Sequence, residues 1–551
     1  MDQPTPGNTT DARSKSSPAN SKSKLNHVVF WPPFLLLIAA VVLNFTNQQW
    51  FSSVTNAANR WVLNHFGFFF LAVGATCLIL CLVVCVSPFG GVRLGGKDAK
   101  PLLKMWNWFA ITVCTTIAVG ILLWSTSEPI MHLMSPPASK QMEPGGQAAA
   151  KFAMETMYLH WTFTPYAIYA VASLMFAFTY YNMRKPYCLG SPIAPLIGDS
   201  LARKSGNLID AICLYSLVAG MAASLGSGIL VLADGIHQLI PDVDSKSAVV
   251  RAIIAAVIIA TFIVSSATGL MKGIRILSSI NTYALMALAV FVLVFGPTAF
   301  ILSFGFETFS SFLLNFFSIN LFTFTDFLAP QQLDADGTPV AAWTTQWTIF
   351  YWAVWMAWTP ITACFLGSIA YGRTVREFML VNFLLPALFG AAWMAIFSGS
   401  ALHLEMESDA GFATLLEPDA AGKTYPERVA YALFGYLPLT IGLVIFYVVS
   451  SFICFVTSAD SNTTAMAAIS SSGITPENSE GGLAVKIAWG ITVGLVAWVM
   501  ITFADIEGIK IISTLGGFPA AILLVLVLGS LVKVLFNYKE YNIVDRESGS
   551  S

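Results

Sequence analysis

The chain has 551 residues, 56% of them hydrophobic and 11% charged, with a mean hydropathy of +0.71 and a net charge of −2. No water-soluble surface can be assembled from that mixture, which excludes a soluble enzyme or a nucleic-acid-binding protein and makes the bilayer the main solvent.

A polar opening stretch of Ser, Pro, Asn, Lys and Thr, residues 1–25, predicts a disordered tail without the apolar centre of a signal peptide. Beyond it, stretches apolar enough to span a bilayer lie near 28–44, 67–86, 105–124, 153–181, 208–232 and 249–268. Six more follow near 280–302, 342–366, 378–398, 430–456, 484–503 and 512–536, and residues 537–551 form a short polar tail. The expectation is an all-α membrane protein of twelve spans, with one membrane domain over residues 26–536. Phe306–Phe324, rich in Phe, Ser and Asn, reads as an amphipathic helix at the interface.

Twenty of the 28 Lys and Arg residues fall on the side shared by both tails and the even-numbered loops. Positive residues concentrate on the cytoplasmic face, so both termini are expected there, in a cell membrane. The eight cysteines carry no CxxC and no His/Cys metal spacing. Cys77, Cys81 and Cys85 mark one helix face as small packing residues.

Two spans carry interruption signals. Pro165 stands inside the fourth, and Pro360 follows Trp358-Thr359 in the eighth. An interior proline removes a helix hydrogen bond and frees a carbonyl, which serves either a kink in packing or a wet cavity. The same two spans concentrate aromatic residues: Tyr158, Trp161, Tyr166 and Tyr169 in one, Tyr351, Trp352, Trp355 and Trp358 in the other. Interfacial belts account for Trp50, Trp106 and Trp343 near span ends, but Tyr169, Trp355 and Trp358 lie deep inside theirs. A quaternary ammonium has no N–H to donate, and ring faces attract it by roughly 0.5–2 kcal/mol each. Neither span has a Lys, Arg, Asp or Glu near its centre, which suits a substrate of near-zero net charge. His160 stands beside Trp161 with no evident partner in the sequence. An ion channel would predict pore-lining charged rings, and none stands out.

Several motifs resemble the betaine/carnitine/choline transporter family. They are Trp352–Pro360 followed by Gly372–Phe378, His160-Trp161-Thr162 with Pro165 and Tyr169, Glu128-Pro129, and Thr457–Ser461. The resemblance covers about residues 28–536. It implies a LeuT-like fold in which spans 3–7 and 8–12 are two inverted five-helix repeats preceded by two extra helices. It further implies a homotrimer and alternating access around an aromatic box, in a symporter or exchanger of a small quaternary ammonium solute such as glycine betaine, choline or carnitine. A sulfonium or other zwitterion would fit the same scaffold. Carried onto this chain, the box is Trp161, Tyr166, Tyr169, Trp355 and Trp358, with Trp352 close by and Trp124 a further candidate ring. Tyr166 and Val354 stand where family members often have Trp, and Thr116–Gly120 replaces a glycine-rich stretch. Thr457, Ser458 and Asp460 are the matching ion-site candidates, for Na+ or H+ as coupling ion. Leu217 and Met221 stand where a second sodium site would use threonines; Lys272 and Arg275 read first as positive anchors of the cytoplasmic side, and could substitute for a cation's charge only by turning inward. Arg376 and Glu377 read as organisers of the loop after the eighth span, and the short C-terminal tail predicts little osmotic activation.

Overall fold

The computed structural model describes residues 24–116, 118–267, 270–322, 342–408, 410–420, 422–474 and 481–548. Among the described residues the protein is mainly helical, and the one sheet is a two-stranded pairing of Lys24–Leu25 with Ser471–Ser472. Lys24 and Leu25, at the end of the expected disordered tail, are thus ordered, while residues 1–23 lie outside the described residues.

Two N-terminal helices come first, α1 (His27–Thr46) and α2 (Gln48–Val86). The third span is α3 (Met105–Thr116) and α4 (Ala118–Met134), the fourth α5 (Gln147–Trp161) and α6 (Phe163–Tyr181). Then come α7 (Asp199–Leu239), α8 (Ala248–Ala267), α9 (Leu270–Phe295) and α10 (Thr298–Leu314). A π-helical turn, Thr345–Ile349, leads into α11 (Phe350–Ser368), followed by α12 (Leu385–Ser408) and α13 (Thr440–Ile469). The last two long helices are α14 (Leu483–Phe503) and α15 (Asp505–Tyr541).

Among the described residues ten helical stretches are long and apolar enough to cross a membrane, or up to twelve if two bent pairs each make one span. The bent pairs are the third span, at 55° between Met105–Thr116 and Gly120–Met134, and the eighth, at 50° between Thr345–Pro360 and Thr362–Ser368. The fourth span and α7 are enclosed by protein over 94% of their apolar windows, against 28% for α8 and 33% for α1. The first pair therefore forms the centre of the bundle, and the second presents its side chains outward.

The expected seventh span, 280–302, ran through Gly296-Pro297. In the structure α9 stops at Phe295 and α10 begins at Thr298, because Pro297 has no N–H to continue the helix. The interfacial stretch accordingly starts eight residues earlier than Phe306. Tyr158 Oη donates to the Gly305 carbonyl (3.0 Å), and Asn320 Nδ2 donates to Thr164 Oγ1 (3.2 Å), so this segment is bound to the fourth span.

On the side of the positive loops, four segments meet. Leu94 N–H donates to the Arg373 carbonyl and Gly372 N–H to the Leu94 carbonyl, both at 2.8 Å. Thr374 and Glu377 form a reciprocal cap on the short helix Val375–Met379, and Arg376 Nε donates to the Cys85 carbonyl (3.1 Å), in keeping with an organising role for both charged residues. The C-terminal stretch packs into the same hub. Fully buried Asn182 accepts from Gly95 N (3.0 Å), donates to the Arg93 carbonyl (2.9 Å) and to Asn542 Oδ1 (3.1 Å), and its own carbonyl accepts from Ile543 N (3.0 Å). Asn182→Ala strands at least two backbone groups at about 1–3 kcal/mol. The expected result is a lower midpoint in thermal unfolding of the solubilised protein, and an unchanged midpoint would show that the hub does not hold these segments.

Candidate functional site

Both prolines flagged in the sequence accompany breaks. In the fourth span Thr162 leaves helical geometry (φ −120°, ψ −111°) between α5 and α6. Pro165 offers no N–H to the Trp161 carbonyl, and the Tyr166 N–H to Thr162 carbonyl contact is stretched to 3.5 Å. The eighth span bends just after Pro360. A third break, between Thr116 and Ala118, carries no proline; Ile117 itself lies outside the described residues.

These breaks surround one cavity of about 50 Å3. A water-sized group occupies about 10–15 Å3 on this measure, so the space suits a group of about four heavy atoms. Trp124 of α4, Trp161 of α5, and Phe350, Tyr351, Val354, Trp355 and Trp358 of the eighth span line it. Hydroxyls complete the wall: Thr115 and Thr116 from α3, Ser224 and Ser227 from α7, and Ser513 from α15. Trp161 meets Trp355 edge-to-face at 5.2 Å and Tyr351 at 5.4 Å, while Trp124 stands 6.1 Å from Tyr351. Trp355 is pinned by its N–H to the His160 carbonyl (3.0 Å).

Four of the seven expected substrate residues, Trp124, Trp161, Trp355 and Trp358, share this cavity. The other three do not line it. Tyr169 supports the box from behind, with its ring 5.6 Å from that of Trp355. The hydroxyls of Tyr166 and Tyr169 are buried with no hydrogen-bond partner among the described residues. Trp352 is fully buried against α2, beside Gly74, and turns away from the cavity. The physical reason is helical phase. At about 100° per residue, Trp352 and Trp358 diverge by about 120°, whereas Tyr351, Trp355 and Trp358 fall within an arc of about 60°.

The residue that sequence reasoning missed is Glu128. It served there only as a marker after the third span, yet its carboxylate is fully buried against the box. Oε1 accepts from His160 Nδ1 (2.7 Å) and His132 Nε2 (3.1 Å). Oε2 accepts from Trp161 Nε1 (2.8 Å) and the Tyr351 hydroxyl (2.5 Å). His160, which had no evident partner in the sequence, therefore has one, and its Nε2 lies 3.1 Å from Thr348 Oγ1. The ligand atoms of Glu128, His132 and His160 all lie within 4.8 Å of one another, a grouping that could hold a metal ion. Contacts of 2.7 and 3.1 Å are hydrogen-bond lengths, however, shorter than the spacing of ligands around a zinc ion. A carboxylate with both oxygens doubly bonded by donors is the arrangement these atoms form. The available signal was a Glu within an apolar run, since an intramembrane carboxylate is a functional candidate by default.

The expected ion residues lie on α13, behind Trp358. Ser458 borders a gap of about 10 Å3 shared with Met221, Ser224, Leu225 and Trp358. Its hydroxyl accepts from Asn462 Nδ2 (3.1 Å). Thr457 Oγ1 donates to the Ile453 carbonyl (2.9 Å), and Asp460 Oδ2 accepts from Ser265 Oγ (2.8 Å). Leu217 and Met221 are buried on α7. The side chains of Lys272 and Arg275 lie outside the described residues.

Long apolar helices, broken around an aromatic cavity, define a multi-pass membrane protein of the kind that broken-helix transporters form. The chain belongs to the betaine/carnitine/choline transporter family, whose sequence model matches residues 28–540. It is 28% identical over 527 residues to an ectoine/hydroxyectoine transporter of Virgibacillus pantothenticus, covering 96% of this chain and 100% of that protein. It is likewise 28% identical over 517 residues to the glycine betaine transporter OpuD of Bacillus subtilis, covering 93% and 95%. The high-affinity choline transport protein of Escherichia coli K12 is 28% identical over 521 residues, covering 94% of this chain and 73% of that protein.

Close approach of α4 to Trp161 requires Gly120, where an added Cβ would lie 2.6 Å from ring atoms of Trp161. Gly120→Ala must displace a ring that Glu128 also holds. Ligand affinity, followed by tryptophan fluorescence, is expected to fall at least about tenfold. Unchanged affinity would show that Trp161 is not needed where it stands.

Proposed function

We propose that the protein is a secondary active transporter, working as a symporter or exchanger, for a small quaternary ammonium solute such as glycine betaine, choline or carnitine. The single observation carrying this reading is the convergence of Trp124, Trp161, Trp355 and Trp358 on one cavity at the helix breaks. Indole faces supply attraction for a cation that can donate no hydrogen bond, and the space matches a trimethylammonium head. The similarity to proteins named as glycine betaine and choline transporters supports the same class. The similarity to a named ectoine transporter favours a second reading, another small zwitterion on the same scaffold.

The bent third and eighth spans support an architecture of two inverted repeats, spans 3–7 and 8–12, because each is the first helix of its set. Twelve spans, a homotrimer, and alternating access complete the proposal. The excess of positive residues on one side supports a cell-membrane protein with both termini in the cytoplasm. For ion coupling, Thr457, Ser458 and Asp460 are the candidates, with Na+ or H+ as the driving ion. A hard cation prefers oxygen ligands, which Leu217 and Met221 cannot supply, so a single sodium site at most is proposed.

In proteoliposomes, Trp355→Ala and Trp358→Ala should each lower the apparent affinity for the transported ammonium solute. A ring contributes roughly 0.5–2 kcal/mol, hence a loss of about two- to thirtyfold. Unaltered uptake kinetics in both variants would defeat the box assignment. Uptake measured with and without sodium, and under imposed pH gradients, is expected to depend on one of the two ions in a symporter and on neither in an exchanger. Indifference to sodium would remove Thr457 and Ser458 as its ligands.

A further inference from the structure

The cavity is chemically uneven along its length. Tyr351 and Trp358 are seven residues apart on one helix face, so they stand about 10 Å apart along the axis. At the Tyr351 end, the ring edges of Trp161 and Tyr351 carry an N–H and an O–H bonded to one carboxylate oxygen of Glu128. At the other end, Trp358 packs against Gly220 and borders the gap beside Ser458.

The carboxylate behind the Tyr351 end is held by two imidazoles and by the two ring donors of the cavity wall. Trp161 and Tyr351 are neutral donors. His132 presents one nitrogen to Glu128, and its Nδ1 is buried with no hydrogen-bond partner among the described residues, so a second proton there would have no acceptor. His160 stacks on the Tyr351 ring at 4.4 Å and places Nε2 3.1 Å from the Thr348 hydroxyl. Lys510, facing the cluster across Trp347 at 5.2 Å from that ring, is already paired with Glu507 (2.8 Å). The Glu128 carboxylate thus stands behind two cavity rings, bonded to their polar edges, and pushes electron density into both ring systems.

We propose that Glu128 is a positioning residue for the substrate's cationic head, acting through Trp161 and Tyr351 to seat it at the Tyr351 end of the cavity. This rests on the reading of the cavity as an ammonium site. The carboxylate never touches the ligand; it strengthens the ring faces that do, and it adds an attraction across them. The opposite end of the solute, a hydroxyl or a carboxylate, then points away from Glu128, towards the hydroxyls of Ser224, Ser227 and Ser513. This division lets one site accept a zwitterion without bringing like charges together.

The test compares choline with its uncharged carbon isostere, which carries a tert-butyl group in place of trimethylammonium, by binding to the purified full-length protein. Glu128→Gln keeps the side chain's shape, and its amide can donate to both imidazoles once His132 shifts its proton to the vacant Nδ1 and His160 shifts its own to Nε2, towards the Thr348 hydroxyl. Choline affinity is expected to fall about tenfold in this variant, and affinity for the isostere to stay within about twofold. A parallel loss of both ligands, or no loss of either, overturns the proposal. Should the variant not fold, a structure of the wild-type protein with choline decides. Its ammonium nitrogen against the faces of Trp161 and Tyr351 supports the assignment, and the reverse orientation, with nitrogen beside Trp358, overturns it. Failure of the wild-type protein to bind choline, glycine betaine and carnitine alike defeats the ammonium reading and this inference with it.

Discussion

A carboxylate taken into a bilayer must find hydrogen bonds for both oxygens or it will not stay ionised, and this requirement on Glu128 organises the middle of the protein. Its four donors come from three spans: His132 from its own helix, His160 and Trp161 from the fourth, and Tyr351 from the eighth. No single helix could provide them. The third, fourth and eighth spans are thus locked in register at one depth, and the fourth is broken there, at Thr162, directly after His160 and Trp161.

The aromatic lining follows from the same constraint. Every indole or phenol placed in hydrocarbon brings a polar hydrogen that needs an acceptor. Here Trp161 and Tyr351 direct theirs outward to Glu128, and Trp355 directs its own to the His160 carbonyl. With those polar edges satisfied by hydrogen bonds, these rings line the cavity as apolar surface. Such a surface is poor at holding water and good at holding a diffuse cation, so polarity is supplied at one remove.

Much of this was legible in the residues before any coordinates. The apolar stretches, Pro165 and Pro360, and the four cavity tryptophans all stand out, because hydropathy, helix breaking and ring chemistry are local properties. What failed was long-range or depended on phase. Trp352 was grouped with its neighbours by spacing, although 100° per residue turns it towards α2 and puts Tyr351 on the cavity face instead. Glu128 and His160 are 32 residues apart, and nothing in either segment alone announces their bond. The Gly296-Pro297 boundary was hidden by continuous hydrophobicity across it, since hydropathy does not register a missing N–H.

The eighth span connects this buried cluster to the opposite face of the protein. Near its start, Tyr351 is held by Glu128; just beyond its end, Gly372 and Arg373 pair with Leu94, in the hub that Asn182 and Asn542 complete. Both anchors are networks of hydrogen bonds with little slack, and the bend between Pro360 and Thr362 is the weak point between them. A bundle anchored in this way absorbs relative movement of its two halves where backbone bonding is already incomplete. Trp355 and Trp358 lie on the cavity side of that bend, so a change in its angle alters the space between them and the fourth span. The eighth span therefore couples the hub to the part of the aromatic wall that Tyr351, Trp355 and Trp358 form, against Trp124 and Trp161 of the third and fourth spans.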